Sequence, residues 1–259
     1  MSTTIAIFGA TGPLGKFVLQ AIADSPQRRG TVKEIRILTR PQSVDKANTL
    51  ARQYPMLSIT VHPLSYGILP GGEETVTGSK EIEDALRTVD VVLSLVGDDS
   101  GLTGRSNDVK HVGLLPGFLA QDGIARAAKK AGVKLFVPSE FGAPTHSMSL
   151  DSDNYIVGKR IHHDLLRELE LPCLLIYAGM FPEVEPSVTP LPAFTAEDPI
   201  PLGSPPFETT RYHVAAYIVE LLLHRGVETV ANTVHVIRGV RRDIALVSEA
   251  GRTEWVPDV

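Results

Sequence analysis

The sequence predicts an α/β protein built on a doubly wound parallel sheet, with helices covering both faces. Three observations lead there. Short apolar runs alternate with helix-period segments over roughly the first 180 residues, the pattern of repeated strand–helix units. Val89–Val96 is apolar almost without a break and closes on Gly97, as a strand buried on both faces requires. Gly9-Ala-Thr-Gly-Pro-Leu-Gly15 joins the first strand to the first helix, the context in which a glycine turn acquires a mechanism.

In chain order, Thr4–Phe8 reads as the first strand and Lys16–Ala23 carries apolar residues at helical spacing. Glu34–Thr39 is the second strand, ending in Arg40 and Pro41. A helix follows over about 43–53, with Val44, Ala47, Leu50 and Ala51 on one face, and Leu57–Val61 alternates as a third strand. The connection from 63 to 79 contains Pro70-Gly-Gly72 and reads as a long surface loop. Ser79 is expected to cap a helix running to about Leu86, with Glu81, Glu83 and Asp84 near its positive end. The fourth strand, Val89–Val96, leads into a polar, glycine-rich loop over about 98–117. Ala120–Ala131 is the next helix, stopped by Gly132, and Val133–Val137 is the fifth strand. A helix over about Val157–Glu168 and a strand over Cys173–Ala178 complete the alternation.

From Phe181 the texture changes, with eight prolines between Pro182 and Pro206, before a helix at Tyr212–His224 and a strand at Thr233–Ile237. The expected division is a dinucleotide-binding core over 1–181 and a small C-terminal substrate lobe over 182–259, interleaved with that core. A net charge of −5 without a basic run gives no electrostatic footprint for nucleic acid. No apolar stretch approaches the roughly 20 residues of a bilayer span. The opening residues run directly into a strand, and Cys173 is the single cysteine, so the expectation is a cytoplasmic chain in a reducing compartment. Cys173 reads as a small buried residue.

The glycine turn predicts an anion site of the Rossmann type. Gly9 permits the tight turn, Gly12 lets the backbone approach a pyrophosphate, and Gly15 lets the helix pack closely on the sheet. Pro13 suits the first helical turn, while Thr11 and Leu14 contact the phosphates through backbone groups. The spacing is Gly-x-x-Gly-x-x-Gly, one residue wider at its first step than the common fingerprint. Arg40, at the end of the second strand, stands where a carboxylate would repel a 2′-phosphate, and its guanidinium selects NADP(H) instead. The Ser94–Gly97 segment, Gly97 included, is expected beside a ribose of the cofactor.

With Gly9–Gly15, Arg40, the helix carrying Gln121, Gly132–Gly142 with its Pro138-Ser-Glu-Phe-Gly142, and Lys159 all present, the chain resembles the NmrA-like, isoflavone-reductase-like family of atypical short-chain dehydrogenases. The resemblance spans roughly residues 4–181. It implies an NADP(H)-binding Rossmann core and, in enzyme members, reduction of small phenolic or polyketide-like substrates. It also implies a catalytic lysine at the start of the helix after the fifth strand, which Lys159 matches. Relatives often carry arginines where this chain has His162 and His163. Adjacent histidines point about 100° apart on a helix, so these two predict no metal site.

Tyr155 and Lys159 are four residues apart, which places them on one helix face. In ordinary short-chain dehydrogenases such a pair supplies the proton and holds the nicotinamide ribose, and a serine in the place of Ser139 binds the reacting oxygen. The isoflavone-reductase branch generally uses the lysine without this tyrosine. Gln121 is expected on the nicotinamide side, and Phe141, Met180 and Phe181 are expected to line the substrate pocket. The predicted function is NADPH-dependent reduction of a small aromatic or polyketide-like substrate bearing a carbonyl or conjugated double bond. The alternatives are an NADP(H)-sensing regulator of the NmrA type, and an isomerase or cyclase on the same fold. A pocket completed by a second copy, as in a homodimer, is compatible with the sequence.

Overall fold

The computed structural model describes residues 2–66, 79–97, 116–146, 149–150, 157–179, 181 and 209–237. β1 (Thr3–Phe8) is buried along its whole length, and alternate side chains serve opposite layers. Ile5 and Ile7 enter one apolar cluster while Ala6 and Phe8 enter the other. Around it lie β2 (Val32–Thr39), β3 (Ile59–Pro63), β4 (Val91–Ser94) and β5 (Leu135–Val137), in the order β3-β2-β1-β4-β5. Every pairing in the sheet is parallel. β6 (Leu174–Tyr177) pairs in parallel with β7 (Thr233–Val236). These two strands join the others through a parallel bridge between Phe136 and Cys173. The Phe136 N–H also donates to the Pro172 carbonyl at 2.8 Å.

One layer holds α1 (Pro13–Asp24), α3 (Val44–Arg52) and α7 (Arg211–Val219), which contribute Val18, Leu50 and Ile218 among others. The other holds α4 (Ser79–Ala85), α5 (Pro116–Ala131) and α6 (Val157–Glu168), through Ile82, Ile124 and Leu166. The helix and strand expected near the C-terminus are therefore part of this same assembly: α7 packs on α1, and β7 extends from β6. No described helix is long and apolar enough to cross a membrane.

Several boundaries differ from expectation. β3 starts at Ile59, two residues late, because this half-exposed strand carries little apolar signal. β4 and β5 are trimmed to Val91–Ser94 and Leu135–Val137, and α5 begins earlier, at Pro116. Ser79 is itself helical, and Lys80 pairs with Glu83 and Asp84 within that helix. α7 gives way to a π-helical segment, Glu220–Arg225, which ends at Gly226 with φ 85°. Short helices α2 (Arg28–Thr31) and α8 (Val227–Val230) and a 3₁₀ turn at Pro41–Ser43 left no periodic signal. Of the expected loops over 63–79 and about 98–117, residues 67–78 and 98–115 lie outside the described residues, as does the proline-rich stretch 182–208.

Where α7 meets β7, a chain of hydrogen bonds has a single consistent direction. The Thr233 hydroxyl donates to the Val230 carbonyl at 2.7 Å, so it accepts from His235 Nε2 at 2.9 Å. In the neutral ring Nδ1 is then an acceptor, and the buried Tyr217 O–H donates to it at 2.9 Å. Replacing Tyr217 by Phe removes this donor from His235 Nδ1 in the interior. The expected cost is about 1 kcal/mol, read as a thermal unfolding midpoint a few degrees lower. An unchanged midpoint would mean that this chain adds nothing to stability.

Candidate functional site

In a parallel sheet the carboxyl ends of all strands open on one edge, and the order reverses between β1 and β4, where a crevice forms. The glycine turn lies at that point. Gly9 has φ 77°, and a Cβ there would stand 2.4 Å from the Leu95 carbonyl oxygen. A Cβ on Gly15 would stand 2.4 Å from the Ala10 carbonyl oxygen, so the backbone of α1 rests directly on the turn. Gly12 donates to the Gly9 carbonyl at 2.9 Å and caps α1 in an extended conformation without any side-chain acceptor. Pro13 occupies the first turn, and the Leu14 side chain is committed to the core. Thr11 sits half-buried within the turn. The helix start thus presents backbone N–H groups alone, which fits an anion such as a pyrophosphate.

Phe8 lies opposite both Leu38 of β2 and Ser94 of β4, so Arg40 and Gly97 leave the sheet on either side of the turn. Arg40 is half-buried and its carbonyl accepts from Ser43 N–H at 2.8 Å, which bends the chain at Pro41. Gly97 is exposed. The buried Ser94 hydroxyl, just below, has no hydrogen-bond partner among the described residues.

The second feature of this edge is the turn after β5. Glu140 N–H donates to the Pro138 carbonyl at 2.8 Å, closing a three-residue turn centred on Ser139. Ser139 N–H donates to Gln121 Oε1 at 2.7 Å, and the Gly142 carbonyl accepts from Ala178 and Gly179 N–H at 3.1 Å each. Lys159, from the first turn of α6, donates through Nζ to the carbonyls of Ser139 at 2.7 Å and Glu140 at 2.8 Å. The structure therefore brings Ser139 and Lys159 together.

Two other expected site residues are buried. Gln121 is 2% exposed, and its oxygen is taken up by the Ser139 amide, because α5 packs beneath the turn. Phe141 packs in the core, with φ 27°. Phe181 is half-buried at the end of β6, with the Arg211 guanidinium 5.0 Å from its ring centre. Tyr155 and Met180 lie outside the described residues.

Sequence reasoning missed the residues under the turn. Glu140 is 2% exposed; Oε1 pairs with His163 Nε2 at 3.0 Å and Oε2 accepts from the Thr145 hydroxyl at 2.7 Å. Burial alone would raise its carboxyl. The charges of His163 and Lys159, with hydrogen bonds from His163 and Thr145, overturn that and hold it at about 2. The buried Tyr177 hydroxyl lies 3.5 Å from Thr145 Oγ1 and accepts from His146 N–H at 3.2 Å, and the His146 ring stacks on Tyr177. Burial, then the neighbouring His163 and Arg160, push His146 below the usual histidine range. The two adjacent histidines of α6 face different partners: His162 contacts Asp122, and His163 contacts Glu140. The one available sequence signal was an acid inside an otherwise turn-like signature.

The sequence matches the model of the NmrA-like family over residues 1–184. The chain belongs to the NmrA-like family. No curated protein matches it in sequence. Among solved structures, this NmrA-like chain is similar to AtPrR2 with NADP+ and (+)-pinoresinol, at 18% identity and TM-score 0.60, covering 93% of this chain and 71% of that one. It is also similar to leucoanthocyanidin reductase of Vitis vinifera in complex with NADPH, at 19% identity and TM-score 0.59, covering 90% and 68%. Triphenylmethane reductase of Citrobacter sp. complexed with NADP(H) matches at 18% identity and TM-score 0.54, covering 90% and 68%. At these identities the likeness is one of fold.

The Glu140 cluster makes stability pH-dependent in one direction. Its folded value of about 2 lies below the ordinary 4.5, so its contribution is complete above about pH 4.5 and is lost as pH falls towards 2. Between those limits wild type should lose on the order of 3 kcal/mol more than Glu140→Gln, measured from urea midpoints at several pH values. Parallel acid profiles for the two proteins would contradict the assignment.

Proposed function

We propose that this chain is an NADPH-dependent reductase of a small aromatic or polyketide-like substrate bearing a carbonyl or a conjugated double bond. The observation that carries the reading is Lys159: its Nζ is held at the turn after β5, on the same sheet edge as the glycine cradle. The NADP(H) complexes of the similar structures support the choice of cofactor.

In this reading the backbone amides of Thr11, Leu14 and Gly15 hold the pyrophosphate, and Arg40 pairs with the 2′-phosphate. Gly97 permits close approach beside a ribose. NADPH, when bound, supplies the hydride. Lys159 has three donors and places two on carbonyls, which leaves one for a ribose hydroxyl or a substrate oxygen. The half-buried Ser139 offers a hydroxyl to that oxygen, and Tyr155, at the approach to α6, is assigned the proton that balances the hydride. Phe181 and Met180, beyond β6, form the apolar wall for the substrate.

A second reading, an NADP(H)-sensing regulator, is favoured by one observation: both of those Lys159 hydrogen bonds are internal. Deuterium transfer decides between them. Wild type incubated with 4-deuterated NADPH and a panel of phenolic ketones, quinones and enones should yield labelled product, and Lys159→Ala should lower turnover about a hundredfold or more. Tight NADPH binding without label from either protein supports the sensor. Arg40→Asp should weaken NADPH binding at least about tenfold while changing NADH binding little. Equal loss for both cofactors would remove the 2′-phosphate assignment.

A further inference from the structure

A lysine amine on a four-carbon stem is placed only by what its donors meet. Here two of them meet the carbonyls of consecutive residues, Ser139 and Glu140. The direction of those carbonyls is fixed by the turn, and the turn is not a resting conformation. Phe141 lies at φ 27°, an unfavourable value for a bulky residue, so surrounding contacts must hold it. Gln121 secures the turn at the Ser139 amide, and β6 secures it at the Gly142 carbonyl.

Between those anchors stands Glu140, which α6 grips twice. Lys159 reaches the Glu140 carbonyl at 2.8 Å, and His163 reaches its carboxylate at 3.0 Å. Lys159 and His163 are four residues apart, one helical turn along the same face. The other carboxylate oxygen is occupied by Thr145, from the loop that continues the turn. A buried carboxylate is a costly way to fill space, and an apolar side chain would pack there with less desolvation. What the carboxylate adds is direction: it fixes residue 140, and hence its carbonyl, relative to the helix that carries Lys159.

We propose that Glu140, clamped by His163 and Thr145, is the positioning residue for Lys159. The functional consequence rests on the reading that Lys159 contacts the cofactor or substrate; the positioning itself does not. Glu140 touches neither.

The test has two arms. In the first, wild type, Glu140→Ala and Glu140→Gln are acylated with limiting acetic anhydride, and Lys159 modification is quantified by peptide mass spectrometry against the exposed Lys129. Glu140→Ala should release Nζ and raise Lys159 acylation about five- to tenfold, the scale of coupling between contacting groups. Glu140→Gln keeps the shape, keeps one acceptor for His163 and turns an amide N–H towards the Thr145 hydroxyl oxygen, which can accept it, and should stay within about twofold of wild type. An unchanged rate in Glu140→Ala, or an equal rise in Glu140→Gln, overturns the proposal. If Glu140→Ala fails to fold, His163→Asn takes its place, leaving Glu140 and Thr145 paired. A rise in Lys159 acylation of about threefold is then expected, and no rise overturns the proposal.

The second arm measures NADPH affinity by nucleotide fluorescence. Glu140→Ala should weaken binding about fivefold in the wild-type background and add nothing in Lys159→Ala. Additive losses overturn the functional half of the proposal. If acylation responds as expected while Lys159→Ala binds NADPH like wild type, Lys159 is positioned as proposed and its cofactor role is what fails.

Discussion

The constraint behind the whole arrangement is parallelism. Since each paired strand runs in the same direction, every turn that leaves a strand's carboxyl end opens on one edge of the sheet. The glycine cradle after β1, Arg40 after β2 and the turn after β5 that receives Lys159 come to one edge without any long-range device of their own. Burial enforces this order. β1, β4, β5 and β6 have no water-facing side, so they admit almost no polar residue, and a slip of one residue in register would send each side chain to the wrong layer.

That constraint also explains what was legible in the sequence. A strand covered on both faces must be a continuous apolar run, so β1, β4 and β6 were visible as such, within a residue or two at the ends. The glycine turn was legible because close backbone contacts, at Gly9 with Leu95 and at Gly15 with Ala10, exclude every other residue type. β3 was placed two residues early because an edge strand is only half covered and leaves a weak pattern. The π-helical segment at Glu220–Arg225 was invisible, since one extra residue in a helical turn changes no local preference.

The site was legible at its ends and not in its support. Lys159 and Ser139 could be named from spacing and family resemblance. The contact of Glu140 with His163 joins residues 23 apart, and nothing local to either marks it. A glutamate in a turn ordinarily faces water, and a histidine pair on a helix reads equally as surface. Only the fold puts the acid under the turn, with its charge answered by a helix that also carries the lysine. Gln121 was expected on the nicotinamide side from its place in the sequence, and only the fold shows that its oxygen holds the Ser139 amide from below.

The outer margin of the sheet also carries information about how the molecule keeps to itself. β3 is one edge of the sheet among the described residues, and Leu64 N–H points inward to the Thr39 carbonyl at 2.8 Å. Neighbouring residues of a strand alternate, so Pro63 turns its nitrogen outward, where an incoming strand would seek a donor and find none. The margin is short as well, spanning Ile59–Pro63. A brief edge ending in proline is a poor template for β-pairing, which guards the sheet against joining end-to-end with other chains through its most exposed strand.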